Sequence, residues 1–278
     1  MVGQDNYPYL VETHIEALKY MESYRNIGEL DMGNETWLRP AKVLLLRNYI
    51  IDAKSNNRYI PPRNEKARGY LDYITTESNS VNLQWRRSHI PFSRVNDSNV
   101  NSMATKITEL IGSRLNQHST LILKYCINEL LTNVTEHSRY RNSFIILQNY
   151  PQLSELEFAI MDDGISIPRN FEEHGIGFTT DSDSLDKALN GVSTKPEDEG
   201  RGHGLPSVFR VLTEGLKGEG IIISRDGIIS WCFLPKNNNV SKTLYSYPKN
   251  LRDLSTLKGC FIAFSVRNDL SPNLYDYL

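Results

Sequence analysis

The apolar positions of the chain fall into two regimes. Up to about residue 97 they come in short groups separated by polar or proline-bearing breaks, and beyond it they settle into helical stripes and compact β-type runs. In the first regime, residues 13–24 and 37–52 have helical spacing, the second with Pro40 in what would be a first turn, followed by Val43, Leu44, Leu45, Leu46 and Ile50. Ile60-Pro61-Pro62 forces extended backbone, because proline lacks an amide donor and biases its predecessor away from helix. Residues 64–74 return to helix, and 85–92 (WRRSHIPF) read as a strand ending at Pro91. Arg86 and Arg87 within it could meet an anion, although adjacent arginines on a surface strand are ordinarily just solvated.

The second regime opens with residues 100–115, where Met103, Ile107, Leu110 and Ile111 form one stripe, and continues into a helix over 119–137. Two β-type runs follow, 143–148 (SFIILQ) and 155–161 (ELEFAIM), separated by a turn at Asn149-Tyr150-Pro151. A polar segment then extends to Gly200, with one short helix implied by Leu185, Ala188 and Leu189. It is too long for a simple connection, and such segments are commonly lids or binding loops. The segment ends in GRGHGLPSVFRVL, whose Pro206 marks the first turn of a helix through about Leu212. Runs 220–225 and 228–234 flank Asp226-Gly227, a hairpin signal, and CFIAFSV at 260–266 supplies the last strand. Helices on one side of a largely antiparallel sheet predict an α+β fold, a two-layer α/β sandwich over 98–278. Residues 1–97 would precede it as a smaller helical or α/β domain with a regulatory or interaction role.

Composition narrows the partners. With 278 residues, 39% of them apolar and 23% charged, the chain has material for a large core. A net charge of −2 gives no global pull toward nucleic acid or an acidic membrane. Cys126, Cys232 and Cys260 lie far apart with no C-x-x-C pair, so buried free thiols are expected and neither a disulfide framework nor a zinc site. There is no basic-then-apolar leader and no run of the ~18 apolar residues a membrane span needs, which makes a cytoplasmic location the expectation.

Candidate chemistry concentrates on NELLTNVTEHS at 128–138. Glu129, Asn133 and His137 recur at i, i+4 and i+8 and share one helical stripe, while Leu123, Ile127, Leu130, Leu131 and Val134 occupy another. An arbitrary helix can present such a polar stripe to solvent at no cost. Downstream glycine-bearing loops change that reading. Gly200, Gly202 and Gly204 allow tight turns and close approach to a ligand, and the helix beginning near Leu205 would aim free amides and a positive dipole end at phosphate oxygens. A P-loop is excluded by the missing lysine, and the G-x-G-x-G spacing is not a dinucleotide fingerprint. Asn133 offers an oxygen to a magnesium ion that is otherwise held by phosphates and waters. Glu129, one turn earlier, is placed to orient or deprotonate an attacking water, and His137 to touch phosphate or support the helix end. Asp162, two residues before Gly164, could accept a hydrogen bond from an adenine amino group, which guanine lacks at that position.

ELLTNVTEH, DDGISIP and GRGHGL, in that order, resemble the N box and two glycine boxes of the GHKL ATPase superfamily. That superfamily joins gyrase B-type topoisomerases, heat-shock chaperones, histidine kinases and mismatch-repair ATPases. The resemblance spans about residues 98–266. It implies ATP and Mg2+ as ligands, Glu129 as general base, Asn133 as the magnesium ligand, and Asp162 with Gly164 at the adenine. It also implies Gly200, Gly202 and Gly204 with Leu205 as the phosphate loop, and residues 169–199 as an ATP lid in which Lys195 is placed to reach a phosphate. Two positions depart from the pattern. Ser166 stands where the first glycine box usually has a second glycine, and Gly259-Cys260 where many members have Gly-Thr.

The histidines ahead of the site, His14, His89 and His118, do not sit in an acceptor box of the histidine-kinase kind, and no length remains after 266 for the transducer domain of the topoisomerase and repair members. A self-phosphorylating sensor and DNA strand passage by this polypeptide alone are therefore not expected. What remains is an ATP-binding regulatory protein with slow Mg-dependent hydrolysis, coupled to lid closure and to contacts with a protein partner or a second copy. The alternatives are a protein-serine kinase of the anti-sigma type and a nucleotide-sensing adaptor without catalysis.

Overall fold

A computed structural model describes residues 8–75, 88–112, 115, 117–194, 204–246 and 257–277. In chain order the elements are α1 (Tyr9–Ile27), β1 (Leu30–Asp31), α2 (Pro40–Leu45), α3 (Arg47–Ser55), β2 (Tyr59–Ile60), α4 (Glu65–Ile74), β3 (His89–Arg94), α5 (Val100–Gly112) and α6 (Gln117–His137). They continue with β4 (Ser143–Tyr150), β5 (Glu155–Asp162), α7 (Ile167–Glu173), α8 (Asp181–Leu189), α9 (Gly204–Arg210), β6 (Glu219–Ser224), β7 (Gly227–Leu234), β8 (Asn239–Ser246) and β9 (Cys260–Arg267). A π-type turn over Val211–Gly215 prolongs α9. Among the described residues, no helix is long and apolar enough to cross a membrane.

The fold is mixed α/β around one seven-stranded sheet of order β3-β4-β5-β9-β6-β7-β8. Every neighbouring pair in it is antiparallel. The last strand in sequence, β9, is thus inserted at the centre between β5 and β6.

Strand side chains alternate between two faces, and here both faces are apolar. Ile145, Leu147, Phe158, Ile160, Ile262 and Phe264 join one core with α5, α6, α8 and α9. Their sequence neighbours Phe144, Ile146, Ala159, Phe261 and Ala263 join a second core with α1, α2, α3 and α4. The sheet therefore lies between two helical layers: residues 98–278 supply helices to one face, and the amino-terminal helices, expected as a separate domain, cover the other. The cause is legible in runs such as FIIL and CFIAF, apolar at both parities, because a strand exposed on one face alternates and a strand covered on both does not. The boundary expected at 97 falls just after β3, which is hydrogen-bonded to β4 as the edge of the same sheet.

Particular elements differ from expectation for local reasons. The strand expected to end at Pro91 runs through it: Ile90 pairs with Leu147 and Ser93 with Ile145, so Pro91 and Phe92 together oppose the single residue Ile146. A bulge on an edge strand is where a residue without an N–H is tolerated. The part of that segment holding Arg86 and Arg87 lies outside the described residues. The helix expected over 37–52 is two helices, broken at Leu46 (ψ −3°), and its start at Pro40 is as predicted. β8 and α7 were not anticipated. The former is mostly exposed, with few apolar side chains to signal it.

The amino-terminal layer is fixed to the sheet by acid side chains. Neither Pro8 nor Arg39, the residues preceding α1 and α2, caps its helix with a side chain. Glu219 of β6 instead accepts from the amides of Tyr9 (3.0 Å) and Leu10 (2.8 Å). Glu157 of β5, fully buried, accepts from Ala41 N–H (2.8 Å) and from Arg39 (3.1 Å). Orphan donors at two helix starts are satisfied by carboxylates borne on the sheet.

Candidate functional site

α6 packs one stripe, from Ile122 to Val134, into the core under the sheet. Glu129, Asn133 and His137, on the adjoining stripe, all line a cavity of 210 Å3 between α6 and the ends of β5 and β9. Asp162, Gly204 and Leu205 line it too. Three sequence-distant motifs are thereby brought to one place. Gly164 stands beside it in the loop after β5, whereas Lys195, Gly200 and Gly202 lie outside the described residues. Leu130, Val134, Ile160 and Ile262 supply apolar wall. The volume is below the ~300–1,000 Å3 of pockets that enclose a whole drug-sized ligand. It is the size of one ring-bearing part of a ligand.

The loop after β5 crosses the last turn of α6 at close quarters. Ile165 N–H donates to the Ser138 carbonyl at 2.5 Å. A Cβ on Gly164 would overlap that same carbonyl, and one on Gly259 would overlap the Asp162 carboxylate. Both glycines are therefore required by approach distance. On α9, a Cβ on Gly204 would strike the Glu129 carboxylate, so the glutamate rests against the bare start of the glycine-terminated helix.

Asp162 is 3% exposed, and its Oδ1 accepts from Gly164 N–H at 2.9 Å. Burial pushes its carboxyl up to about 7, against the opposing effect of the Gly164 and Cys260 amides and the Ser138 hydroxyl. The carboxyl is thus poised between its two forms near neutrality. Asn133 is half-buried, and its Nδ2 has no hydrogen-bond partner among the described residues. A buried polar atom in that state, on a cavity wall, calls for a ligand or water.

Both departures from the family pattern have structural readings. Ser166 is buried and caps α7, its hydroxyl accepting from Arg169 N–H at 3.2 Å. Cys260 lines the cavity as a neutral thiol, burial holding it well above its ordinary value. The hydroxyl next to Gly259 comes from Ser224 instead, which donates to the Gly259 carbonyl (2.9 Å) and accepts from Ile167 N–H (3.0 Å). Motif reading passed over Ser138, Asn170 and Ser224. Ser138 is one residue beyond the four-spaced stripe, and Asn170 reaches the cavity only because α7 folds back, its Nδ2 donating to Thr194 Oγ1 at 3.2 Å.

Much of the expected lid is anchored. Leu185 of α8 is fully buried in the core, and Arg225 of the β6–β7 turn bonds Asp181 (2.8 Å) and Glu172 (2.8 Å). Asn170 and Phe171 of α7, Ala188 of α8, and Val192, Ser193 and Thr194 at the end of the described part line the cavity. The hairpin turn is Arg225-Asp226 and not Asp226-Gly227: Ser224 pairs with Gly227, where a Cβ would strike the Asp181 backbone.

Fold and site thus define a mixed α/β protein with a half-apolar cavity between a helix and a central antiparallel sheet. Compared with models of known protein families, with curated proteins and with solved structures, the chain has no match.

Proposed function

We propose that the chain is an ATP-binding regulatory protein of the cytoplasm that hydrolyses ATP slowly in the cavity beside α6, and that nucleotide occupancy alters its contacts with a protein partner or a second copy. The observation that carries this reading is the convergence of Glu129, Asn133, His137, Asp162 and Gly204 on one cavity from three motifs far apart in sequence. In it, the apolar wall takes the adenine and Asp162 accepts from its amino group. Glu129, resting against Gly204, holds the attacking water where the phosphate chain leaves the cavity.

Magnesium fits the donor set in one specific way. Among the described residues no group of three or more His, Cys, Asp or Glu side chains is placed to hold a metal. The unengaged Asn133 carboxamide, whose two ends are distinguished only by their partners, suits an ion that arrives with the phosphates and keeps its waters. When bound, such an ion neutralises charge on the phosphate oxygens.

Calorimetry with ATP, ADP and GTP, with and without magnesium, tests the site: ATP should bind with magnesium enhancement and GTP at least tenfold more weakly. Equal binding of GTP removes the role given to Asp162. Phosphate release should fall by about 10²-fold or more in Glu129→Ala with ATP binding retained, and Asn133→Ala should lose the magnesium effect. Unchanged turnover in both variants ends the catalytic assignment. Binding without release identifies the nucleotide-sensing adaptor, and label transferred to a protein serine identifies the kinase.

A further inference from the structure

The opposite face of the sheet has a cavity of its own, of 160 Å3, and Asp162 lines both. The amino-terminal layer builds much of this second cavity, with His14 of α1 and Arg47 and Asn48 of α3 facing Asn142, Phe144 and Lys258. Arg47 is 9% exposed; its guanidinium lies 3.7 Å from the Phe144 ring centroid and donates to Asn48 Oδ1 at 3.0 Å. Arg94 approaches the same ring, 5.3 Å from its centroid, and donates to Asn142 Oδ1 at 2.8 Å. Two guanidinium groups thus converge on one aromatic ring beside a cavity.

Arg47 and Lys258 line the cavity with the carboxyls of Asp162 and Asp163, and Arg94 adds a third cation at the Phe144 ring. Burial and the neighbouring Arg94 bring Arg47 down to about 10, more than the attraction of Asp163 restores. Asp163 is itself engaged, accepting from the amides of Arg141 (2.8 Å) and Asn142 (2.7 Å) and from Asn142 Nδ2 (2.8 Å). His14, pushed down to about 4 by burial, adds a polar ring without charge at neutral pH. Lys258, exposed, stands at the rim. Holding a guanidinium in such a place is costly, and stacking on Phe144 would be served as well by an apolar side chain. A planar cation beside a cavity matches the paired oxygens of an oxyanion.

We propose that this second cavity is a binding site for a small oxyanion, a phosphate or a short carboxylate, held by Arg47 with Asn48 and by Lys258 at the mouth. Because Asp162 is the shared wall, a bound anion disfavours the ionised carboxylate that receives adenine. ATP and the anion therefore weaken each other's binding, by the same factor in each direction; this coupling rests on the ATP reading, whereas the anion site does not.

Inorganic phosphate and malonate are titrated separately into the full chain without nucleotide, by calorimetry. Binding of either supports the site, and the stronger of the two identifies the class of ligand. Arg47→Met should weaken it at least tenfold, a substitution that removes the charge and keeps an unbranched apolar stem at the buried position. Lys258→Glu, at an exposed residue that leaves folding intact, should weaken it about tenfold as well, and Asn133→Ala should leave it unchanged. No binding of either anion at millimolar concentration overturns the proposal, as does wild-type affinity in Lys258→Glu. Loss in Asn133→Ala places the anion in the nucleotide cavity and overturns it equally. Malonate should lower ATP affinity several-fold in the wild type but not in Arg47→Met, and equal affinity with and without malonate overturns the coupling. A chain that binds malonate but no ATP refutes the proposed function and leaves the anion site standing.

Discussion

At position 164 a single methyl group decides whether the site can assemble. Gly164 passes so close to the end of α6 that a Cβ there would overlap the Ser138 carbonyl oxygen. Backbone cannot give way as a flexible side chain can, because Ser138 O already accepts from Ile165 N–H. Gly164→Ala should therefore destabilise the fold by about 1–3 kcal/mol, read as a lower urea midpoint, and under the proposed function should weaken ATP binding through Asp162, which bonds the Gly164 amide. An unchanged midpoint and unchanged affinity would show that the loop relaxes freely. The polar stripe of α6 was legible at this scale because a 3.6-residue period places Glu129, Asn133 and His137 together whatever the tertiary structure. The roles of Ser138 and Ser224 were not. Each acts through a partner distant in sequence, Asp162 for one and Gly259 for the other.

Among the elements, α1 and α2 depend on the sheet for their caps. Glu219 accepts from Tyr9 and Leu10, and a neutral, shorter side chain would leave both amides without that acceptor. Glu219→Ala should cost about 1–2 kcal/mol of stability, with Glu219→Gln, which keeps one acceptor oxygen, costing less. Hydrogen exchange distinguishes a local from a global effect: exchange should accelerate first in α1, and equal protection of α1 in variant and wild type would contradict the capping role. Such a cap is invisible in sequence, since Pro8 and Glu219 lie on different elements and local rules search only within a few residues of a helix start. Where the signal was local, the reading was close. Asn64 caps α4 by accepting from Ala67 N–H at 3.0 Å, and the helix expected from residue 64 runs from Glu65 to Ile74. Pro91 misled for the opposite reason, because a local rule about proline yields to a bulge that only strand pairing reveals.

For the whole molecule, the double-faced sheet has an electrostatic consequence. Covering both faces buries Glu157 and Glu219 under one helical layer and Asp162 near the other, and burial pushes each carboxyl up to about 7. Both apolar faces were present in the sequence as unbroken runs, but a run alone does not say which helices cover it. A carboxyl raised on folding holds in the native state a proton that the unfolded chain releases near its ordinary value. Its stabilising contribution is full below about pH 4 and is lost as pH rises through about 7. His14 acts in the other sense: lowered to about 4, it contributes above its ordinary value of 6.5 and loses that contribution as pH falls. Between these limits three groups favour acid against one that opposes it, so the native state binds more protons than the unfolded state. Stability of the nucleotide-free protein should accordingly fall by roughly 1–3 kcal/mol per pH unit from about pH 5 to pH 7 and level off above. Urea midpoints at half-unit steps from pH 5 to 8.5 would show it, and a midpoint that rises from pH 5 to 7 would mean that the amides and Arg39 keep these carboxylates ionised after all. Glu219→Gln should flatten the slope by about one proton's worth, which separates this carboxyl from Asp162 in the same titration.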